Sequence, residues 1–163
     1  MASIFDNVVC NEAIEMAKTG IVAQMEKGKF KRKDLCIVVV NPSIVPGSIS
    51  RTEFVRRGIL HEHVIGDKDK WKTDYSWFAK YKAYLTWRHR MSSRMIQTCF
   101  PHLLEDGDIL YGGSIIFNEI VVAASALDEH DDELVSLWVA GGIYRECIAK
   151  RRTLDPNTNA FLA

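Results

Sequence analysis

Residues 74–100, DYSWFAKYKAYLTWRHRMSSRMIQTCF, form the longest stretch free of Gly and Pro that keeps a helical period, and the neighbouring segments read as elements that pack on it. With Lys82 as origin and about 100° per residue, one arc collects Trp77, Tyr81, Tyr84, Leu85, Met91, Met95, Ile96 and Cys99, which predicts a buried side. Along the other side Tyr75, Lys82, Thr86, His89 and Ser93 fall within roughly 40° of one another, a narrow polar line. Such a line either faces water or borders a polar site at the edge of a core helix. Arg88 lies inside the apolar arc. A buried guanidinium there needs a carboxylate, and Asp131, Asp132, Glu133 or an ion pair at a subunit interface are the candidates.

Upstream, Asn11 is positioned to cap a helix running to about Met25, with Gly28 beyond its end. The basic run Lys27, Lys29, Lys31, Arg32 and Lys33 is a solvated loop unless its cations converge on an anion. LCIVVVN, residues 35–41, is unbroken apolar sequence and predicts a central strand covered on both faces. NPSIVPGSIS, 41–50, is turn chemistry. Residues 51–65 read as one or two exposed strands broken at Gly58. His61 and His63 share a face of that segment, the spacing that lets two imidazoles approach one metal ion, but no third ligand is visible and no metal site is assigned. A charged loop, 66–73, leads into the central helix.

Downstream, Pro101 ends the helix. Two strands follow, 109–117 and 120–127, joined by Asn118-Glu119 as an antiparallel hairpin. Gly112 and Gly113 weaken the first strand and so call for a bulge or the close approach of another group. The last helix begins at the acidic cluster Asp128, Glu129, Asp131, Asp132 and ends at Lys150–Arg152, the polarity a helix dipole favours. Leu134, Leu137, Trp138, Tyr144 and Ile148 supply its predicted packing surface, and Ala140-Gly141-Gly142 would admit a close neighbour. Residues 153–163 carry no period and read as a tail, leaving 1–152 as a single α+β domain.

The 163 residues suit one domain, and 21 basic residues balance 21 acidic ones. The overall field therefore gives no push toward nucleic acid or an anionic membrane. No leader or spanning segment is apparent, and Cys10, Cys36, Cys99 and Cys147 are scattered without metal-ligand spacing. Reduced thiols in a cytoplasmic protein are the expectation.

In the central helix Asp74, Phe78, Lys82 and Ser92-Ser93 stand where the uncharacterised family UPF0303 carries Asp-Asn-x-x-Trp-x-x-Arg-Lys and a Ser-Ser pair. Gly112-Gly113-Ser114 resembles its His-Gly-Gly-x-Phe-Pro, Ser125 and Leu127 its Val-Ser-Gly-Leu, and Asp131 with Leu134-Val135 its Asp-His-x-Leu-Val. Over residues 74–135 the chain thus resembles that family, part of the GlcG-like, haem-degrading-type domains that include HbpS proteins and the C-terminal part of PduO adenosyltransferases. It departs at Tyr75 for Asn, Phe78 for Trp, Tyr81 for Arg, Tyr111 for His, Ile116 for Pro, Ala126 for Gly and Asp132 for His.

The resemblance implies a profilin-like fold, with about five antiparallel strands flanked by helices, assembling as a homo-oligomer: dimers and then larger rings. It implies a small-molecule ligand, haem or a carboxylated metabolite, between the central helix and the glycine pair. Lys82 would meet a carboxylate or propionate, Ser93 and Ser125 would hydrogen-bond, and Tyr111, Gly112 and Gly113 would border the ligand. No CxxCH is present, and His61, His63, His89 and His102 are the axial candidates for haem. Two alternatives stay open. One is an oligomeric adaptor that docks a protein partner through its tryptophans, Trp87 in particular. The other is an enzyme with His89 as general base and Lys82 as electrostatic partner, about 10 Å apart along one helix face.

Overall fold

The computed structural model describes residues 3–154. Helix α1 (Asn7–Glu26) is capped by Asp6, whose carboxylate accepts from the amides of Val8 and Val9, so it starts earlier than Asn11. Strand β1 (Leu35–Val40) follows, buried at all six positions. Residues 51–57 are helical, not extended. Ser50 caps α2 (Arg51–Arg57), and Glu53 pairs with Arg56 and Arg57 on its exposed side. Only the second half of that segment is a strand, β2 (Ile59–Ile65).

The predicted long helix is two helices. α3 (Tyr75–His89) ends at Arg90 in the left-handed conformation, φ 57°, and Ser92 caps α4 (Ser93–Cys99) by accepting from the Met95 amide. Beyond it, β3 (Ser114–Phe117) and β4 (Ile120–Ser125) form the expected hairpin, with Asn118 and Glu119 both at positive φ, and β3 is shorter than predicted. Helix α5 (Glu129–Leu154) closes the described chain, so the expected tail begins no earlier than residue 155 and lies outside the described residues.

Among the described residues the sheet is antiparallel with four strands in the order β2-β1-β4-β3, not the expected five. Leu35, Ile37 and Val39 of β1 and Ile120, Val122 and Ala124 of β4 point to α1 and α5. Cys36, Val38 and Val40 with Val121 and Ala123 point to α3 and α2. The fold is α+β, with a sheet covered on both faces.

The buried surface of α3 and α4 keeps Tyr84, Leu85 and Ile96 of the predicted arc but extends over the polar line as well. Tyr75, Lys82, Thr86 and, across the break, Ser93 are buried, whereas Trp77 and Met95 are exposed. The strip against the sheet is made of small residues, Ser76, Ala79, Ala83 and Thr86, which bring the helix axis close to the strands. Trp87 is core, donating its indole N–H to the Ile44 carbonyl, and is unavailable as a docking aromatic. The four cysteines are free. Cys10 and Cys36 are buried, with pKa values pushed up to about 12 chiefly by burial, while Cys99 is exposed. No described helix is long and apolar enough to cross a membrane.

Candidate functional site

Lys82, from the middle of α3, reaches under the end of β4 and is 3% exposed. Its ammonium donates to the Ala124 carbonyl at 3.1 Å and to Asp132 Oδ2 at 2.9 Å, with Ser125 Oγ more distant at 3.5 Å. Asp132 stands in the first turn of α5, where the helix dipole favours a carboxylate, and its Oδ1 accepts from the Leu127 amide at 3.1 Å. Burial pushes the Asp132 carboxyl up from its ordinary value, and Lys82 and the backbone amide pull it back.

Behind this pair the glycine strand is packed, not open. A Cβ on Gly113 would stand 2.8 Å from Asp132 Cβ, 2.9 Å from the Ala124 carbonyl and 3.0 Å from Lys82 Nζ, and the residue sits at φ +126°. A Cβ on Gly112 would press on Arg94 and Glu129. Polar bonds knit the same region. Ser114 donates from its hydroxyl to the Lys82 carbonyl and from its amide to Ser93 Oγ, its hydroxyl also bonds to Thr86, and Ser136 donates to the Gly113 carbonyl. Ser93 is thus a support behind Lys82, and the glycines make room for the ion pair.

The open space lies on the other side of Lys82. A cleft of about 290 Å³ has Lys82, Ser125 and Asp132 at its buried end, with walls of Tyr75, Phe78, Tyr111, Ala126 and Leu127 and the carboxylate of Glu129 among them. Phe78 and Tyr111 meet edge to face, centroids 5.9 Å apart. Three cations converge on the rim: Lys31 and Arg32 from the basic loop and Lys72 from the loop before α3. Lys31 is paired with Asp128. Arg32 lies 5.9 Å over the Tyr75 ring, and neither it nor Lys72 forms an ion pair among the described residues.

Of the residues singled out from sequence, Lys82, Tyr111 and Ser125 border this cleft, whereas Ser93, Gly112 and Gly113 lie behind its floor. His89 is not in the lining. Its Nε2 accepts from Arg88 Nε at 2.9 Å, and burial together with the Arg88 charge holds its pKa below the ordinary imidazole value. Arg88 finds its carboxylates in Asp108 and Glu105 of its own chain, not in the acidic start of α5. Sequence reasoning did not bring Arg32 and Lys72 together, and it named Asp132 as part of the acidic helix start, as the residue standing where the family has His and as a partner for Arg88, not for Lys82.

No protein-family model, curated protein or solved structure matches the chain. The geometry stands alone.

His61 and His63 share a face, as their spacing predicts, with ring centroids 6.5 Å apart. His61 Nδ1 bonds to Asn7 Oδ1 at 3.0 Å, while Nε2 of each ring is shut away from water without a partner. Among the described residues, three candidate ligand residues converge only at Asp128, His130 and Asp131, a group that includes neither of these two histidines. Haem, the cofactor the resemblance implies, does not fit the cleft. The lining holds no His, Cys or Met, its phenols are turned onto Trp71 and Phe78, and about 290 Å³ is at the small end of ligand pockets.

Proposed function

We propose that this chain binds a small carboxylated molecule with a planar apolar part in the cleft above the Lys82–Asp132 pair, as a distant GlcG/HbpS-like domain. The observation that carries this reading is the convergence of Arg32 and Lys72, which form no ion pair among the described residues, over a cleft walled by Tyr75, Phe78 and Tyr111, with Glu129 the one carboxylate besides Asp132 in the lining. An anion at the rim gains charge-assisted hydrogen bonds, and the rings take up the apolar portion. Inside, Ser125 offers a hydroxyl and Lys82 a donor whose third hydrogen has only the 3.5 Å contact to Ser125.

Two local details are in keeping with the family reading. Gly113, in the glycine pair, needs its missing Cβ. Ala126, at the position where the family has glycine, holds φ +135°, a conformation that favours glycine. A catalytic version would rest on Lys82 with Asp132, because His89 is outside the lining.

Calorimetric titration with 4-hydroxybenzoate and its neutral amide tests the reading. The carboxylate is expected to bind at least about tenfold more tightly than the amide, and Arg32→Ala/Lys72→Ala to erase that preference while leaving the fold intact. Equal binding of the two probes, no binding of either, or a preference untouched by the double substitution would each reject it. Hemin serves as the contrast, with no saturable shift of its Soret band expected.

A further inference from the structure

The acidic residues at the start of α5 are not alike. Asp128 pairs with Lys31, Asp132 with Lys82 and Glu133 with Arg94. Glu129, the first residue of the helix, forms no ion pair and no side-chain hydrogen bond among the described residues. It is half-buried and lines the cleft, with Oε2 3.4 Å from the point where a Cβ on Gly112 would stand. The helix dipole favours an acid in this turn but does not turn it inward. Asp131, in the same turn, is not part of the lining.

The charge in the cleft is therefore of both signs. Arg32 stands over the Tyr75 ring and Lys72 lies on the loop before α3, while Glu129 belongs to the side formed by Tyr111 and Gly112. Neither cation is within ion-pair distance of Glu129, so the two signs stay apart in a space of about 290 Å³. A ligand that is only an anion satisfies Arg32 and Lys72 but sits near a like charge, which costs affinity. An ammonium on the same ligand turns that repulsion into a charge-assisted hydrogen bond. Asp132 is not available for that ammonium. Its Oδ2 takes Lys82 and its Oδ1 the Leu127 amide, and a second cation there would meet the Lys82 charge.

We propose that the ligand of the cleft is an aromatic amino acid in the broad sense, a small zwitterion with its carboxylate toward Arg32 and Lys72, its ammonium toward Glu129 and its ring among Tyr75, Phe78 and Tyr111. This rests on the reading of the cleft as a site for an aromatic carboxylate and adds the second charge. The polar ends set the orientation, and the rings supply the contact area.

Calorimetric titration of the full chain at pH 7, where both ligand charges are present, tests the second charge with two matched pairs. L-Phenylalanine is set against 3-phenylpropanoate, and 4-(aminomethyl)benzoate against 4-methylbenzoate; the charges are adjacent in the first zwitterion and at opposite ends of the ring in the second. In at least one pair the zwitterion is expected to bind at least about fivefold more tightly. Glu129→Gln should remove that preference and bind the simple carboxylates as tightly as the wild-type chain or more so, because the like charge is gone. Its circular dichroism spectrum checks the fold, and if the variant does not fold, the wild-type comparison decides alone. No preference in either pair, or a preference that Glu129→Gln leaves in place, overturns the inference. If the wild-type chain still favours 4-hydroxybenzoate over its amide, the ammonium site alone is lost. If that preference is missing too, the carboxylate site beneath it goes as well.

Discussion

Asp132 and Asp108 are two buried carboxylates, each 2% exposed at the side chain, and each is held by a cation from α3, yet their surroundings differ. Asp108 is saturated. Oδ1 takes Arg51 at 2.7 Å, Oδ2 takes Arg88 at 2.7 Å, and the Glu105 amide adds a third bond. Arg88 in turn spends its donors on Asp108, Glu105 and His89 and lies over the Tyr84 ring. The arrangement fastens the loop after α4 to α2 and α3. Asp132 has one ammonium, with the backbone amides of Leu127 and Ala126 beside it, and its pair borders open space. A planar guanidinium with several fixed donors suits a clamp, whereas a lysine with one under-used hydrogen suits the floor of a cleft. A buried charge is informative when its donors are counted, not simply because it is buried.

The sharpest way to break the contrast is Lys82→Met. It leaves Asp132 uncompensated away from water and is expected to cost about 3–5 kcal/mol, read as a fall in the urea midpoint. Adding Asp132→Leu should return much of that loss, because an apolar pair of similar volume removes the stranded charge. A single substitution costing under about 1 kcal/mol would mean that the pair is solvated.

What the sequence could and could not reveal follows from the same residues. The all-apolar run at β1, the hairpin at Asn118-Glu119 and the polarity of α5 were legible because each has a local cause. The face of α3 was only partly so. Its contact strip is small and mildly polar, so a reading that sends large residues inward placed Tyr84, Leu85 and Ile96 correctly but missed the strip and drew in Trp77 and Met95. In α5 it placed Trp138 against the core but drew in Leu134, Leu137, Tyr144 and Ile148 as well. The break between α3 and α4 had a signal in Ser92, a residue suited to an N-cap, but no Gly or Pro drew attention to it. Lys82 was singled out by its angle on the helix. Its partner could be named only through the tertiary fold, since 50 residues separate Lys82 from Asp132.

The clamp gives the intermediate effect. Asp108→Asn keeps the shape but removes both charge pairs, at an expected cost of about 2 kcal/mol in the same denaturation experiment. Arg88 keeps Glu105 and Arg51 keeps the Asp106 carbonyl, which limits the loss. Binding of 4-hydroxybenzoate should be unchanged, since Asp108 does not line the cleft. A substitution that weakened that binding as much as Arg32→Ala would erase the distinction between clamp and floor.

The smallest effect extends the comparison to two half-buried imidazoles whose Nε2 atoms have no partner among the described residues. Burial first, with the neighbouring His63 for His61 and Lys18 for His63, holds both imidazoles below their ordinary pKa. Around them stand Asn7, Glu15 and Lys18 of α1, and Glu15 alone acts in the opposite sense on His63. The folded chain therefore prefers the neutral rings, while the unfolded chain takes up protons near pH 6.5. Stability is full above that value, declines as pH falls through it, and levels off only below the depressed folded-state values. Half-buried rings make this smaller than either ion-pair effect. His61→Gln/His63→Gln should flatten the slope of unfolding free energy between pH 7 and 5. His89, also depressed, remains in both proteins, so the difference between the two curves isolates the pair. Equal slopes would show that the two imidazoles reach water freely in the folded chain.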